Sequence, residues 1–406
     1  MGVESARAFP APGERMRVML TGDVMLGRGI DQILPNPSPP ELHEPYVRSA
    51  LTYVSLAEKR SGAVPGPVAF PYVWGEALQD LDAHAPDLRI INLETAVTRS
   101  ATPADKEIHY RMNPANLDVL RAAAIDCCVL ANNHLLDWGP EGLLETLDVL
   151  GGAGFELAGA GRDDVEAEAP AVLPISDGTR ILVYAFAFPS SGVPPSWAAG
   201  PNRPGVHFLE GHGDGAVERI AARVSRDRRP GDRVIASIHW GPNWGYDISS
   251  ADRAFARRLI EQARIDVVHG HSSHHPKGIE LHRGRPILYG CGDLINDYEG
   301  ISGEEAYRPD LALIYLLSLD PGGACRDLEM FPYRIARFRL NRAASEEVRW
   351  LADRLDQECS RLGGRVTLEE GAGASSLRLF PSRQGSGGNQ ARASAPKPNP
   401  AGAKAM

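Results

Sequence analysis

Six short clusters of polar residues stand out along the 406-residue chain, each following an apolar run and each carrying carboxylate, amide or imidazole groups. Val18-Met19-Leu20 leads to Thr21-Gly22-Asp23, and Ile90-Ile91 leads to Asn92-Leu93-Glu94. Val129-Leu130-Ala131 leads to Asn132-Asn133-His134, with Asp137 three residues on. Ile235-Ala236-Ser237-Ile238 leads to His239-Trp240-Gly241, and Val267-Val268 to His269-Gly270-His271-Ser272-Ser273-His274-His275. Tyr289-Gly290-Cys291 ends in Gly292-Asp293, ahead of Asn296 and Asp297. Such a donor set suits a divalent Zn, Mn or Fe ion, since imidazole favours borderline metals and carboxylate harder ones. A carboxylate bridging two ions holds them about 3.5–4 Å apart, the spacing used for displacement at phosphorus. An unbound histidine beside them would protonate a leaving group. Taken singly, each cluster reads more readily as a turn, a capped loop or a structural histidine. Five in order, each closing an apolar run, reverse that balance.

The runs that carry these clusters are predicted strands: Arg17–Thr21, Leu88–Asn92, Cys127–Leu130, Ile181–Phe186, Val234–Ile238, Val267–His269, Ile287–Tyr289 and Leu311–Ser318. Most are β-branched or Leu-rich with little alternation, as befits strands covered on both faces. Helices are predicted at Pro114–Ala124, Pro140–Leu150, Ala216–Arg226, Asp252–Ala263 and Glu346–Cys359. Pro140 suits a first helical turn, and Gly151-Gly152 offers a stop. Strands alternating with helices give an α/β class, in which ligands bind beyond the carboxyl ends of the strands.

Composition narrows the setting. The chain is 43% hydrophobic and carries a net charge of -9 with its Lys and Arg scattered, which gives no footprint for nucleic acid. Five cysteines without a CxxC pair argue against a thiolate zinc site or a disulfide framework. No apolar run is long enough for a membrane span and none near the start reads as a signal peptide, so a cytoplasmic location is expected. Residues 1–15 read as a flexible leader and 383–406 as a disordered Gly/Ser/Ala/Pro tail. Between them residues 16–382 form the expected domain, with 35–80 an inserted cover or subdomain rich in proline and aromatics.

The order of LTGDVMLGR, INLETAVT, LANNHLLDWG, His-Trp-Gly, Gly-His-x-x-His and ILYGCGDLIND resembles the CapA group of poly-γ-glutamate capsule proteins in the calcineurin-like metallophosphoesterase superfamily. The likeness runs from Arg17 to Asp297. It implies a four-layer α/β/β/α sandwich of the metallophosphoesterase type with one or two divalent ions at the strand ends. By the resemblance, Asp23, Glu94 (the bridging carboxylate), Asn133, His239, His271 and His274 hold metal, and His134 is the proton donor. His275 is an alternative to His274, and His269 is structural. Two departures stand out. Met25 replaces the histidine usual two residues after the first aspartate, which implies a poorer ligand set at one metal position. His271 and His274 are separated by two residues where phosphoesterases have one.

Arg28, Asn132 and Trp240 are expected to contact substrate, Arg28 through its planar fork. Arg28 as a surface charge is the competing reading, as is ordinary packing for Trp138, Trp240 and Trp244. Cys291 has no evident base partner and is not read as a nucleophile. The leading expectation is metal-dependent hydrolysis of a phosphoester or related bond in a small-molecule or polyglutamate-type substrate. The alternatives are a non-catalytic accessory role in polyglutamate synthesis and hydrolysis of a small intracellular metabolite.

Overall fold

The computed structural model describes residues 15–175, 178–370 and 375–381. The leader, but for Arg15, and the tail expected from the sequence lie outside the described residues. The principal strands are β1 (Met16–Val24), β2 (Leu88–Leu93), β3 (Cys127–Val129), β4 (Arg180–Ala187), β5 (Arg233–His239), β6 (Val267–His271), β7 (Asp293–Ile295), β8 (Leu311–Leu319) and β9 (Cys325–Ile335). The helices that matter here are α1 (Leu51–Ser61), α2 (Ala77–His84), α3 (Gly139–Gly152), α4 (Asp214–Asp227), α5 (Ser250–Glu261) and α6 (Ser345–Ser360).

Two sheets carry the fold. In the first, the order is Gly364–Glu369, Ser376–Pro381, β9, β8, β1, β2, β3, Glu156–Ala158, with β7 joined to the end of β1. In the second it is Ile279–His282, Arg285–Leu288, β6, β5, β4, Ala171–Pro174. The parallel cores, β1-β2-β3 and β4-β5-β6, explain the near-continuous apolar runs, because both faces of each are covered.

Alternate residues show what covers them. On β4, Ile181, Val183 and Ala185 belong to the core shared with the first sheet. Leu182, Tyr184 and Phe186 point the other way and pack with Val217, Ile220 and Val224 of α4 and Phe255 and Leu259 of α5. On the outer side of the first sheet, α2 sets Leu81 across a small cleft from Met19, Ile314 and Leu316, and Tyr333 donates to Asp80 at 2.8 Å. Helix, sheet, sheet and helix form four layers.

Several details differ from the sequence-based expectations. The predicted helix at Pro114–Ala124 is a 3-10 turn, Pro114–Asn116, followed by a short α-helix, Asp118–Ala122. The Asn113 side chain accepts from the Ala115 amide and starts the turn. Helix α3 runs through Gly151 and Gly152 rather than stopping before them. The expected cover contains α1 and the beginning of α2. Among the described residues no helix is long and apolar enough to cross a membrane.

Candidate metal centre between the two sheets

The polar residues converge because parallel strands end together. Asp23 stands opposite Asn92 of β2 and Asp293 of β7, and His239 stands opposite His271. Gly22 is what lets β1 come this close. A Cβ there would lie 1.6 Å from the Gly292 carbonyl oxygen, and the Asp23 amide donates to that same oxygen at 3.0 Å. Gly22-Asp23 is therefore a close strand contact, not a turn.

Two groups of buried side chains share Asp23. Asp23, His239 and His271 offer ligand atoms within 4.8 Å of one another, and so do Asp23, His274 and Asp293. His239 Nδ1 lies 2.8 Å from His271 Nδ1, and its Nε2 lies 3.0 Å from Asn133 Oδ1. Glu94 Oε1 sits 3.8 Å from His134 Nε2 and 4.0 Å from His239 Nε2. His274 Nδ1 is 2.8 Å from Asp293 Oδ1. The seven residues predicted to bind metal or move a proton thus lie around one centre. Asn92 ties two of them together, its amide donating to Asp23 at 2.7 Å and Glu94 at 3.0 Å.

The electrostatics fit a cation. Burial, then the neighbouring Asp293 charge, pushes the Asp23 carboxyl up to about 7. Burial and the charges of Asp23 and Asp293 push Glu94 well above the carboxylate range. Burial pushes His239 and His271 well below their ordinary value, leaving neutral imidazoles with a free lone pair. Three crowded carboxylates beside neutral imidazoles are costly in a dry interior unless a cation joins them. The residues present fit a divalent metal.

Behind His134 lies a different arrangement. Its Nδ1 is 2.7 Å from Asp137 Oδ2, which also accepts from the Tyr110 amide at 2.6 Å. Lys106 Nζ donates to Asp137 Oδ1 and to the Asn133 carbonyl, each at 2.6 Å. Burial opposes charge on Asp137, but His134 and Lys106 outweigh it and hold the carboxyl below its ordinary value. Burial, helped by Lys106 and only partly offset by Asp137, brings His134 down to about 4.

The three expected substrate contacts are placed elsewhere. Trp240 follows His239 in an extended segment and so points to the opposite face. There it joins the core with Phe188 and Tyr289, its indole donating to the Tyr289 carbonyl at 3.0 Å. Asn132 is buried, its amide donating to Asn92 and to the Leu93 carbonyl while its oxygen accepts from the His134 amide. It shapes the loop. Arg28 is neither a surface charge nor free for a ligand. It is buried, with Asp297, Glu44 and Tyr53 occupying its guanidinium.

Other open choices resolve in the same way. His275 packs in one aromatic cluster with Trp244 and Tyr307, whereas His274 offers a ligand atom near Asp23 and Asp293. Burial pushes the Cys291 thiol up, as expected of an inert cysteine. Met25 is buried, and Asp293 offers a carboxylate beside Asp23 and His274. Asp293 closes the sixth cluster of the sequence, a signal that was legible. Lys106 sits 31 residues from Asp137 in an irregular segment and carried none.

Comparison with known proteins shows the family of the chain. A protein of Mycobacterium tuberculosis named as a probable polyglutamine synthesis accessory protein is 49% identical over 352 residues, covering 86% of this chain and 92% of that one. The PGA biosynthesis protein CapA of Bacillus subtilis is 28% identical over 208 residues, 51% of this chain and 52% of that protein. Among solved structures, a 5'-nucleotidase precursor from Thermus thermophilus superposes with a TM-score of 0.39 at 15% identity, over 78% of this chain and 54% of that one. Residues 17–298 match the family described as bacterial capsule synthesis protein PGA_cap, and the chain belongs to that family.

Proposed function

We propose that the chain is a metal-dependent hydrolase whose centre holds one or two divalent ions, Mn, Zn or Fe. The observation that carries the reading is the pair of buried ligand groups sharing Asp23, with His134 Nε2 turned toward the same place. Asp23, Asn133, His239 and His271 would hold one ion; Asp23, His274 and Asp293 a second, with Glu94 beside both. A bound ion supplies a water of lowered pKa and charge stabilisation for the reacting oxygen.

The chain's own residues account for the remaining work. Asp137 accepts the Nδ1 proton of His134 and so keeps Nε2 directed at the centre. In the free chain this ring is neutral, so it takes its second proton from solvent as an anionic substrate group approaches and offsets the cost of a buried positive charge. Asp137, kept ionised by Lys106, steadies that imidazolium while Nε2 gives its proton to the leaving group. The substrate we infer is a phosphoester or a related acyl bond in an anionic small molecule or polyglutamate-type chain.

A second reading is a binding or scaffolding role in polyglutamate synthesis, supported by the accessory designation of the mycobacterial relative. Purified protein supplied with Mn or Zn and a generic phosphomonoester, phosphodiester or γ-glutamyl substrate separates the two. Turnover that vanishes in His134→Ala with metal retained supports the hydrolase. Absence of turnover with every metal and substrate, while metal still binds, supports the scaffold.

A further inference from the structure

Two buried polar side chains below the centre have no part in the chemistry above. Ser237 and His269 stand opposite each other on β5 and β6, two residues before His239 and His271 and therefore on the same face. His269 Nε2 lies 2.6 Å from the Thr21 carbonyl oxygen of β1, in the other sheet. His269 Nδ1 lies 3.0 Å from Ser237 Oγ, which lies 2.9 Å from His271 Nε2. All three side chains are fully buried.

Proton counting that starts at the Thr21 carbonyl gives one arrangement for Ser237 and His271. A carbonyl only accepts, so His269 Nε2 carries a proton. His269 is buried with no carboxylate in contact among the described residues, so it is neutral and its Nδ1 is a lone pair. That lone pair takes the single hydroxyl proton of Ser237. The serine oxygen then accepts from His271, which places the His271 proton on Nε2. His271 Nδ1 is left as a lone pair 4.0 Å from Asp23 Oδ1 and 2.8 Å from His239 Nδ1, and in the metal-free chain His239 donates to it once the Asn133 amide presents its NH2 rather than its oxygen to His239 Nε2.

We propose that Ser237 and His269 are positioning residues which, anchored on the Thr21 carbonyl, select the Nε2–H tautomer of His271 and aim its Nδ1 at the metal position. The relay rests on the metal-site reading for its purpose but not for its geometry. It acts through hydrogen bonds to the far nitrogen of a ligand, an arrangement whose loss elsewhere costs about 10–100-fold in metal affinity.

The test uses the full chain labelled with 15N-histidine, metal-free, with the His271 signals identified from a His271→Asn spectrum. The relay requires an unprotonated Nδ1 and a protonated Nε2 at His271. Ser237→Ala should mix the tautomers and weaken zinc binding, measured by chelator competition, by about 10–100-fold; Ser237→Thr, which restores the hydroxyl, should recover both. A proton on His271 Nδ1 in the unsubstituted chain overturns the proposal, as does a Ser237→Ala protein with unchanged tautomer and affinity. Should Ser237→Ala not fold, the tautomer of the unsubstituted chain decides alone. A chain that binds neither zinc nor manganese defeats the proposed function, yet the tautomer still tests the relay.

Discussion

His134 and His271 face the same centre, yet what stands behind them differs. Behind His134 is a carboxylate, Asp137, itself held by Lys106 at 2.6 Å. Behind His271 is a hydroxyl, Ser237, held by a neutral ring that ends on a backbone carbonyl. A carboxylate favours a positive ring, which a proton donor must become. A hydroxyl carries no charge, so it fixes a tautomer while leaving the ring neutral, as a metal ligand must be. On the proposed reading, identical side chains take different duties from the atom at their back.

The comparison can be broken at several points. The largest effect is expected from His134→Ala, which should lower kcat by about 10²–10⁴-fold while metal content stays constant; unchanged kcat would remove His134 from the proton step. Next, Asp293→Asn should weaken the second of two metal-binding steps by at least the roughly 10–100-fold that loss of a partner behind a ligand costs, in a calorimetric titration, leaving the first in place. Lys106→Met should cost about tenfold in kcat with little change in KM, the loss expected when a charged hydrogen bond is removed. Lys106→Arg should recover part of that loss if the cation itself matters.

The smallest effect concerns stability and runs opposite to function. The Asp23 carboxyl is raised in the folded chain to about 7, so between pH 4 and 7 the folded state binds more protons than the unfolded one. Stability of the metal-free chain therefore falls as pH rises through that window. Asp23→Asn should raise the melting temperature of the metal-free protein at pH 8 by on the order of a few degrees, and the gain should vanish near pH 4. Added zinc should reverse the order by stabilising only the unsubstituted chain.

The strands that carry the ligands were legible because both of their faces are covered, which turns them into apolar runs ending abruptly in donors. The eight predicted strands each overlap an observed one. What escaped notice depends on contacts between distant segments. Nothing local marks Lys106, which acts from an irregular stretch across 31 residues. Asp293 was visible as a strand-end acid, but its place beside Asp23 depends on β7 pairing with the end of β1. Trp240 was misplaced because its neighbour His239 faces the centre; the strand's period of two sends the indole to the other side. Arg28 was unreadable for another reason. Its partners Glu44 and Tyr53 belong to the proline-rich cover, where periodicity gives no guidance.

Crystals grown with zinc and measured at its absorption edge test the central claim most directly. The account predicts anomalous density about 2.0–2.2 Å from ligand atoms of Asp23, His239 and His271, reaching His271 through Nδ1. Zinc held at full occupancy by other residues, with these side chains left hydrogen-bonded only to one another, would contradict it.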